Sequence, residues 1–254
     1  MQTFSLPTIV SLLDRTLHAK PYADSSNNGL QVANSGKVAK VACGVDSSLE
    51  FFQAARERGA NLCIVHHGMS WGDSMARLTG LKYELVRFLI ANDMALYASH
   101  IPLDAHPSLG NNILLARALG LCSLARFGCY HGTTISFCGR LPRAMPCEKF
   151  QEHVARVTGN KVAFLPLGVP RIRTVALVSG GGAEWMEEAA SAGVDAFVTG
   201  EVGLAAYNVA KQAKLNAFVA GHYATETLGV KAVANFLRKQ CGVPAEFVDL
   251  KIEY

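Results

Sequence analysis

Apolar residues follow two alternating patterns along the chain. Short, nearly continuous apolar runs are typical of buried strands, and segments in which apolar residues recur every three or four positions are typical of amphipathic helices. The predicted strands are Val38–Val45, Asn61–Val65, Ala95–Ser99, Thr133–Leu141, Thr174–Ser179, Asp195–Thr199, Ala217–Ala220 and Ala245–Asp249. The predicted helices are Leu49–Arg58, Leu81–Ala91, Asn111–Leu119, Glu148–Val157, Ala183–Ala192, Leu204–Lys214 and Thr225–Gln240, with Gly120–Tyr130 as a connection. The alternation predicts an α/β fold with mixed, mostly parallel sheets.

The N-terminal segment also has a helical pattern. The apolar residues on one face are Ile9, Leu12, Leu13 and Leu17; Asp14 interrupts the apolar run, and no basic region precedes it. These features favour an amphipathic helix over a signal peptide. No run in the chain approaches the roughly 18 apolar residues of a membrane-spanning helix. We therefore expect a cytoplasmic protein with no membrane partner.

Two parts of the chain resemble each other. Val41–His67 aligns without gaps on Val175–Glu201, and Ala95–Asp104 aligns on Ala217–Glu226. The similarity predicts two intertwined, duplicated βα modules, residues 1–125 and 126–254, with a cleft between them. The alternative is chance similarity between βα units that share the same turn residues.

Composition narrows the class of protein further. The chain has 254 residues, of which 50% are hydrophobic and 17% charged, so it can bury a sizeable core. Its net charge of +4 is spread thinly, which does not support a nucleic-acid partner. The seven cysteines are odd in number and form no Cys-x-x-Cys pair. Because Cys43 and Cys63 lie in predicted strands, we expect reduced, buried thiols rather than disulfides or metal ligands.

Histidines and carboxylates follow four predicted strands. Ligands of parallel sheets collect at the carboxyl ends of the strands, and imidazole with carboxylate is the donor set of zinc, iron and manganese. The residues are His66, His67, His100, Asp104, Glu201, His222 and Glu226. Adjacent histidines can turn into one site only where a strand ends, and we expect Gly68 to permit that bend. The set exceeds what one tetrahedral ion needs, so it indicates two metals; the alternative is that each histidine is structural.

Three other features are open to more than one interpretation. The glycine-rich Ser179–Gly182 can hold an anion at a helix start or allow tight packing. Trp71 can line the cleft, stack on a base, or pack in a core or lid, and packing is the favoured interpretation. Asn28 is interpreted as a turn or cap residue.

These residues occur in segments that match a known family. The segments are NGLQV (Asn28–Val32), VHHGMSW (Val65–Trp71), SHIPLDAHPSLGNN (Ser99–Asn112), DAFVTGEV (Asp195–Val202) and AGHYATE (Ala220–Glu226). The chain resembles the Nif-three-like dinuclear-metal proteins, also known as GTP cyclohydrolase I type 2 homologues, in their short form. The resemblance implies that His66, His67, Asp104, His222 and Glu226 are the metal ligands, with Glu226 bridging two ions. It also implies that His100 lies nearby as a proton shuttle or outer residue, and that the protein forms a toroidal homo-hexamer.

The function expected from these observations is metal-dependent hydrolysis. Two divalent or trivalent ions of the zinc, iron or manganese class would act on a small polar molecule, such as a GTP-like nucleotide, while His100 and Glu201 move protons. The alternative is a non-catalytic metal-binding ring that acts as a scaffold or regulator and docks another macromolecule. A third hypothesis is metal storage or delivery.

Overall fold

The computed structural model of the chain describes residues Thr3–His18 and Tyr22–Ile252. These residues fall into two compact units. Of the described residues, the first unit comprises those up to Leu103 together with Gly229–Leu250, and the second comprises Asp104–Leu228 with Lys251 and Ile252. The duplication of residues 1–125 and 126–254, inferred from internal similarity, stays a prediction.

Helices and strands alternate through both units. The chain begins with β1 (Phe4–Ser5), α1 (Leu6–Leu17), β2 (Gly29–Val32), β3 (Lys37–Val38), β4 (Val41–Asp46), α2 (Leu49–Glu57), β5 (Leu62–His67), α3 (Gly80–Ala91), β6 (Ala95–Ala98) and the short α4 (Ile101–Asp104). It continues with α5 (Asn111–Ala118), β7 (Cys122–Tyr130), β8 (Thr133–Pro146), α6 (Cys147–Thr158), β9 (Ala163–Leu165), β10 (Arg171–Val178), a 3₁₀ turn (Gly182–Trp185) and α7 (Met186–Ser191). The last elements are β11 (Ala196–Thr199), α8 (Leu204–Ala213), β12 (Asn216–Val219), α9 (His222–Cys241) and β13 (Ala245–Phe247). None of the described helices combines the length and apolar character needed to cross a bilayer.

The first unit contains a five-stranded sheet in the order β13-β4-β5-β6-β2. Its first four strands are parallel, and β2 runs antiparallel to β6. Ser48 caps α2 by accepting a hydrogen bond from the Phe51 N–H, and Phe51, Phe52 and Leu89 bury one core of the unit. Because β4, β5 and β6 are parallel and adjacent, the residues that follow them meet at one edge of the sheet.

The second unit contains a six-stranded sheet in the order β7-β8-β10-β11-β12-β9. Here β10, β11 and β12 are parallel, whereas β7, β8 and β9 pair antiparallel. Phe218 anchors the core, with its ring stacked on Phe164 at a centroid distance of 4.7 Å and edge-on to Phe150 at 4.9 Å. The carboxyl ends of the three parallel strands again share one edge of the sheet.

The mixed α/β class predicted from the sequence is confirmed, but some elements differ. Gly120–Tyr130 was predicted as a connection and is largely strand β7, at the edge of its sheet. Five of the first six strand residues there are exposed or half-buried, so the segment lacks the apolar run that marks a central strand. The sequence pattern also missed β2 and β9, and α9 begins at His222, three residues before the predicted start. That earlier start puts His222 itself on the helix.

Candidate metal centre

The first unit brings three of the predicted site histidines together. His66 and His67 are the last two residues of β5, and His100 follows the neighbouring strand β6. Their ring centroids are 4.6 Å (His66–His67), 5.1 Å (His66–His100) and 5.6 Å (His67–His100) apart. One ring nitrogen of each lies within 4.8 Å of the others. We call these three residues the histidine cluster.

Every ring of the histidine cluster is oriented through Nδ1. His66 Nδ1 lies 2.9 Å from the Ser99 carbonyl oxygen, His67 Nδ1 lies 2.8 Å from Asp46 Oδ1, and His100 Nδ1 lies 2.9 Å from Asp24 Oδ1. A carbonyl and two carboxylates can only accept, so each Nδ1 carries a proton, and in the neutral imidazole the lone pair is then on Nε2. This is the arrangement that metal-binding histidines use to fix tautomer and ring direction.

Asp24 and Asn28 hold His100 and its backbone. Asp24 accepts hydrogen bonds from His100 Nδ1, from the Ile101 N–H at 3.1 Å and from Asn28 Nδ2 at 2.8 Å. Asn28 Oδ1 accepts from the His100 N–H at 2.7 Å. Burial alone would raise the pKa of Asp24, but its bonds to His100, Asn28 and Ser26 lower that pKa to about 2. Asn28 therefore does more than cap a turn, and Asp24 is a site residue that the sequence analysis missed.

Gly68 follows the histidine pair because its neighbours leave no room for a side chain. A Cβ at this position would overlap the Gln31 side-chain amide and approach the Ala98 Cβ to 2.6 Å. Gln31 Oε1 accepts hydrogen bonds from the Met69 and Ser70 N–H groups at 2.9 and 3.1 Å, which fixes the segment after β5. This packing requirement is one reason for glycine at position 68, and the backbone bend expected there from the sequence stays a prediction.

Trp71 packs beside the histidine cluster. Its indole N–H donates to the Gly68 carbonyl at 2.6 Å, and its ring lies edge-on to His100 with centroids 5.0 Å apart. The half-buried indole thus covers one side of the cluster.

The second unit brings His222, Glu226 and Glu201 together. His222 and Glu226 lie one turn apart at the start of α9, and Glu201 follows β11. His222 Nδ1 is 2.9 Å from Glu201 Oε1, and His222 Nε2 is 3.3 Å from Glu226 Oε1. The hydrogen bond to Glu226 and the charges of both carboxylates raise the pKa of His222 to about 9, although burial alone would lower it. A cation bound here would replace the His222 proton.

The glycine loop is shaped around this pair. Gly180 has a positive φ of 62°, and a Cβ there would overlap the Glu226 carboxylate and lie 2.9 Å from His222 Nε2. The Gly180 N–H donates to Thr225 Oγ1 at 2.9 Å, on the same turn of α9. Of the two interpretations of Ser179–Gly182, the geometry at Gly180 supports close packing against the predicted ligands.

Asp104 is held next to the same loop. The buried Asp104 accepts a hydrogen bond from Asn111 Nδ2 at 2.9 Å and lies 3.5 Å from Ser179 Oγ, through Oδ1 in both contacts. Ser179 directly precedes Gly180, so three predicted ligands of the second unit border one loop.

The donor chemistry of both units fits a metal ion of the zinc, iron or manganese class. Three oriented imidazoles in one unit, and an imidazole with buried carboxylates in the other, match the ligands these ions take. The fold and site define a mixed α/β protein whose strand-end histidine cluster can hold a metal ion.

Comparison with known proteins identifies the family. Residues 4–253 match the family model of Duf34/NIF3 (NGG1p interacting factor 3). A Deinococcus radiodurans protein called GTP cyclohydrolase 1 type 2 homolog is 41% identical over 95% of this chain and 91% of its own length. An Archaeoglobus fulgidus protein of the same name is 39% identical over 97% and 98%. The chain belongs to the Duf34/NIF3 family, as the sequence motifs predicted.

Solved structures show the same fold. Protein ybgI, described as of unknown function, superposes with a TM-score of 0.93 at 32% identity, covering 99% of this chain and 100% of its own. TTHA1606 from Thermus thermophilus gives a TM-score of 0.89 at 34% identity, with the same coverage.

Proposed function

We propose that the protein is a metal-dependent hydrolase with a dinuclear centre. His66, His67, Asp104, His222 and Glu226 would hold two ions, with Glu226 between them and one of the adjacent histidines on each. The observation that carries the proposal is the orientation of the histidine cluster, in which an oxygen acceptor holds each Nδ1, so that in the neutral imidazole the lone pair is on Nε2. A purely structural histidine does not require this repeated arrangement.

The chain itself would hold the ligands and move protons. When bound, two such ions would supply Lewis-acid activation of water and of a substrate oxygen. Glu201 fixes the ring of His222 through Nδ1 and is proposed to accept a proton at its other oxygen. His100, oriented by Asp24, is proposed to pass a proton through Nε2. Trp71 would limit the access of water on the His100 side.

The proposed substrate is a small polar molecule, with a GTP-like nucleotide as the leading example. The name of the relatives, GTP cyclohydrolase 1 type 2 homolog, supports this class. We further propose that the two duplicated modules face each other across the metal centre and that the protein forms a toroidal hexamer.

Metal analysis tests the proposal directly. Protein purified without added metal should contain about two transition-metal ions per chain, measured by plasma mass spectrometry, and Glu226→Ala should lose both. Glu187→Ala, an exposed glutamate of the second unit, is the matched control and should keep both.

Three outcomes separate the hypotheses. Wild-type protein without bound metal would contradict the proposal, and full metal content in Glu226→Ala would remove the bridging role. Full metal content with no turnover across a panel of nucleotides and phosphate esters would favour the non-catalytic ring scaffold instead.

A further inference from the structure

The two histidines at the end of β5 are oriented by acceptors of different charge. His66 Nδ1 lies 2.9 Å from the carbonyl oxygen of Ser99, which is a neutral group. His67 Nδ1 lies 2.8 Å from Asp46 Oδ1, which belongs to a carboxylate. Because the two distances are nearly equal, the hydrogen bonds differ chiefly in the charge of the acceptor. The adjacent histidines are therefore not equivalent as donors to a metal ion.

The register of two parallel strands places Asp46 against His67. Asp46 is the last residue of β4 and pairs with His67 in the β4–β5 ladder, and the Ser47 N–H donates to the His67 carbonyl at 3.0 Å just beyond it. The Asp46 side chain is 40% exposed, and within the described part of the chain its carboxylate bonds only the His67 ring. A change in its charge at constant shape therefore acts on His67 rather than on the core.

A carboxylate bonded to Nδ1 strengthens an imidazole as a metal ligand. The anion draws the Nδ1 proton toward itself, which makes Nε2 a more basic donor, and its negative charge favours a cation on the same ring. A backbone carbonyl fixes the ring in the same way but carries no net charge. Carboxylates also hold Nδ1 of His100 and of His222, so of the four site histidines described, only His66 has a neutral acceptor at Nδ1.

We propose that Asp46 is a positioning residue for one of the two ions: acting through His67, its charge sets the affinity for the ion that His67 would hold, and it has little effect on the ion that His66 would hold. The inference rests on the proposed dinuclear centre, in which the two adjacent histidines serve different ions. Loss of the Asp46 charge should therefore separate the affinities of the two ions.

Asp46→Asn tests the charge alone, because the amide keeps the shape and its Oδ1 can still accept from the His67 Nδ1–H. Zn²⁺ binding to the chelated full-length protein is measured by competition with a chromophoric chelator. The wild type should bind two ions. In Asp46→Asn one ion should bind roughly 10–100-fold more weakly, whereas the affinity for the other should change by less than about threefold.

Co²⁺ gives a second measurement that a merely structural role would not leave unchanged. Its visible absorption reports the ligands of the bound ion. At saturating Co²⁺ the absorption of Asp46→Asn should match the wild type in intensity, because His67 still binds the ion and only the affinity has fallen. If Asp46 only keeps the ring in place, part of the absorption should be lost even at saturation.

The control is Asp93→Asn, which removes an exposed carboxylate of the same unit that accepts hydrogen bonds from Ser35. It should bind both ions like the wild type. Unchanged affinity for both ions in Asp46→Asn, equal weakening of both, or loss of Co²⁺ absorption at saturation would each overturn the role of Asp46.

The same measurements separate this inference from the proposed function. Two ions in the wild type with no effect of Asp46→Asn would defeat the role of Asp46 alone. Fewer than two ions in the wild type would contradict the dinuclear centre, and this inference with it. Two ions with the expected effect of Asp46→Asn, but no turnover of any substrate tried, would count against the hydrolase proposal alone.

Discussion

Replacing Asp24 by asparagine should destabilise the protein by about 2–4 kcal/mol at neutral pH. The Asp24 side chain is 1% exposed and accepts from four donors: the N–H groups of Ser26 and Ile101, Asn28 Nδ2 and His100 Nδ1. The asparagine side chain has the same shape but only one acceptor oxygen. Its NH₂ group would face N–H donors and could not accept hydrogen bonds from them. Each charge-assisted hydrogen bond lost from a buried position costs roughly 1.5–3 kcal/mol.

The pKa of Asp24 gives a second measure of the same effect. Its depression from 3.8 to about 2 corresponds to about 2.5 kcal/mol of stability at neutral pH. Because the folded-state pKa is lowered, this contribution is present above pH 3.8 and is lost as the pH falls through about 2. The difference between wild type and Asp24→Asn should therefore shrink between pH 4 and pH 2.

Urea denaturation of chelated protein, followed by circular dichroism, measures the effect. Asp93→Asn is the matched control, because Asp93 also accepts two hydrogen bonds, both from Ser35, but lies exposed. Asp93→Asn should lose less than half as much stability. Two results would refute the claim that the four donors bonded to Asp24 stabilise the fold. One is an equal loss of unfolding free energy in the two variants. The other is a difference in stability between wild type and Asp24→Asn that stays constant down to pH 2.

Three further predictions concern assembly and the site. The protein should form a hexamer, and light scattering at micromolar concentration that gave a 27 kDa species would contradict this. Cys63→Ala should keep its full metal content, because burial in β5 raises the pKa of this thiol and keeps it protonated; stoichiometric metal loss in a folded variant would show that Cys63 is a ligand. His100→Asn should keep both metals while activity falls by about 10²–10⁴-fold. If His100 instead only supports a ligand, metal titration should show affinity weakened by roughly 10–100-fold.

The sequence was most informative where strands are central and buried. β4, β5, β11 and β12 are continuous apolar runs, so their positions and the polar residues after them could be predicted to within a few residues. The short edge strands β2 and β9 carry no such run, and only pairing with a neighbour defines them.

The residues that orient the site were harder to predict. Asp24 and Asp46 contact His100 and His67 from 76 and 21 positions away in the chain. Which carboxylate faces which imidazole depends on sheet order and on a loop that has no periodic pattern. The histidines themselves could be found because they follow strands directly, whereas their acceptors could be found only in three dimensions.

The pairing of β13 with β4 has a consequence for synthesis of the chain. Ala245, Glu246 and Phe247 cover the outer edge of β4 at Val41–Cys43, so that edge of the sheet is completed by residues made about 200 positions later. At roughly 5–20 residues per second, the edge stays unpaired for about 10–40 s on the ribosome. All of Asp104–Leu228 is translated within that interval, so the second unit can reach its folded state before the first has its last strand. During this time the open edge of an apolar strand is a surface that nascent-chain chaperones would have to shield from other chains.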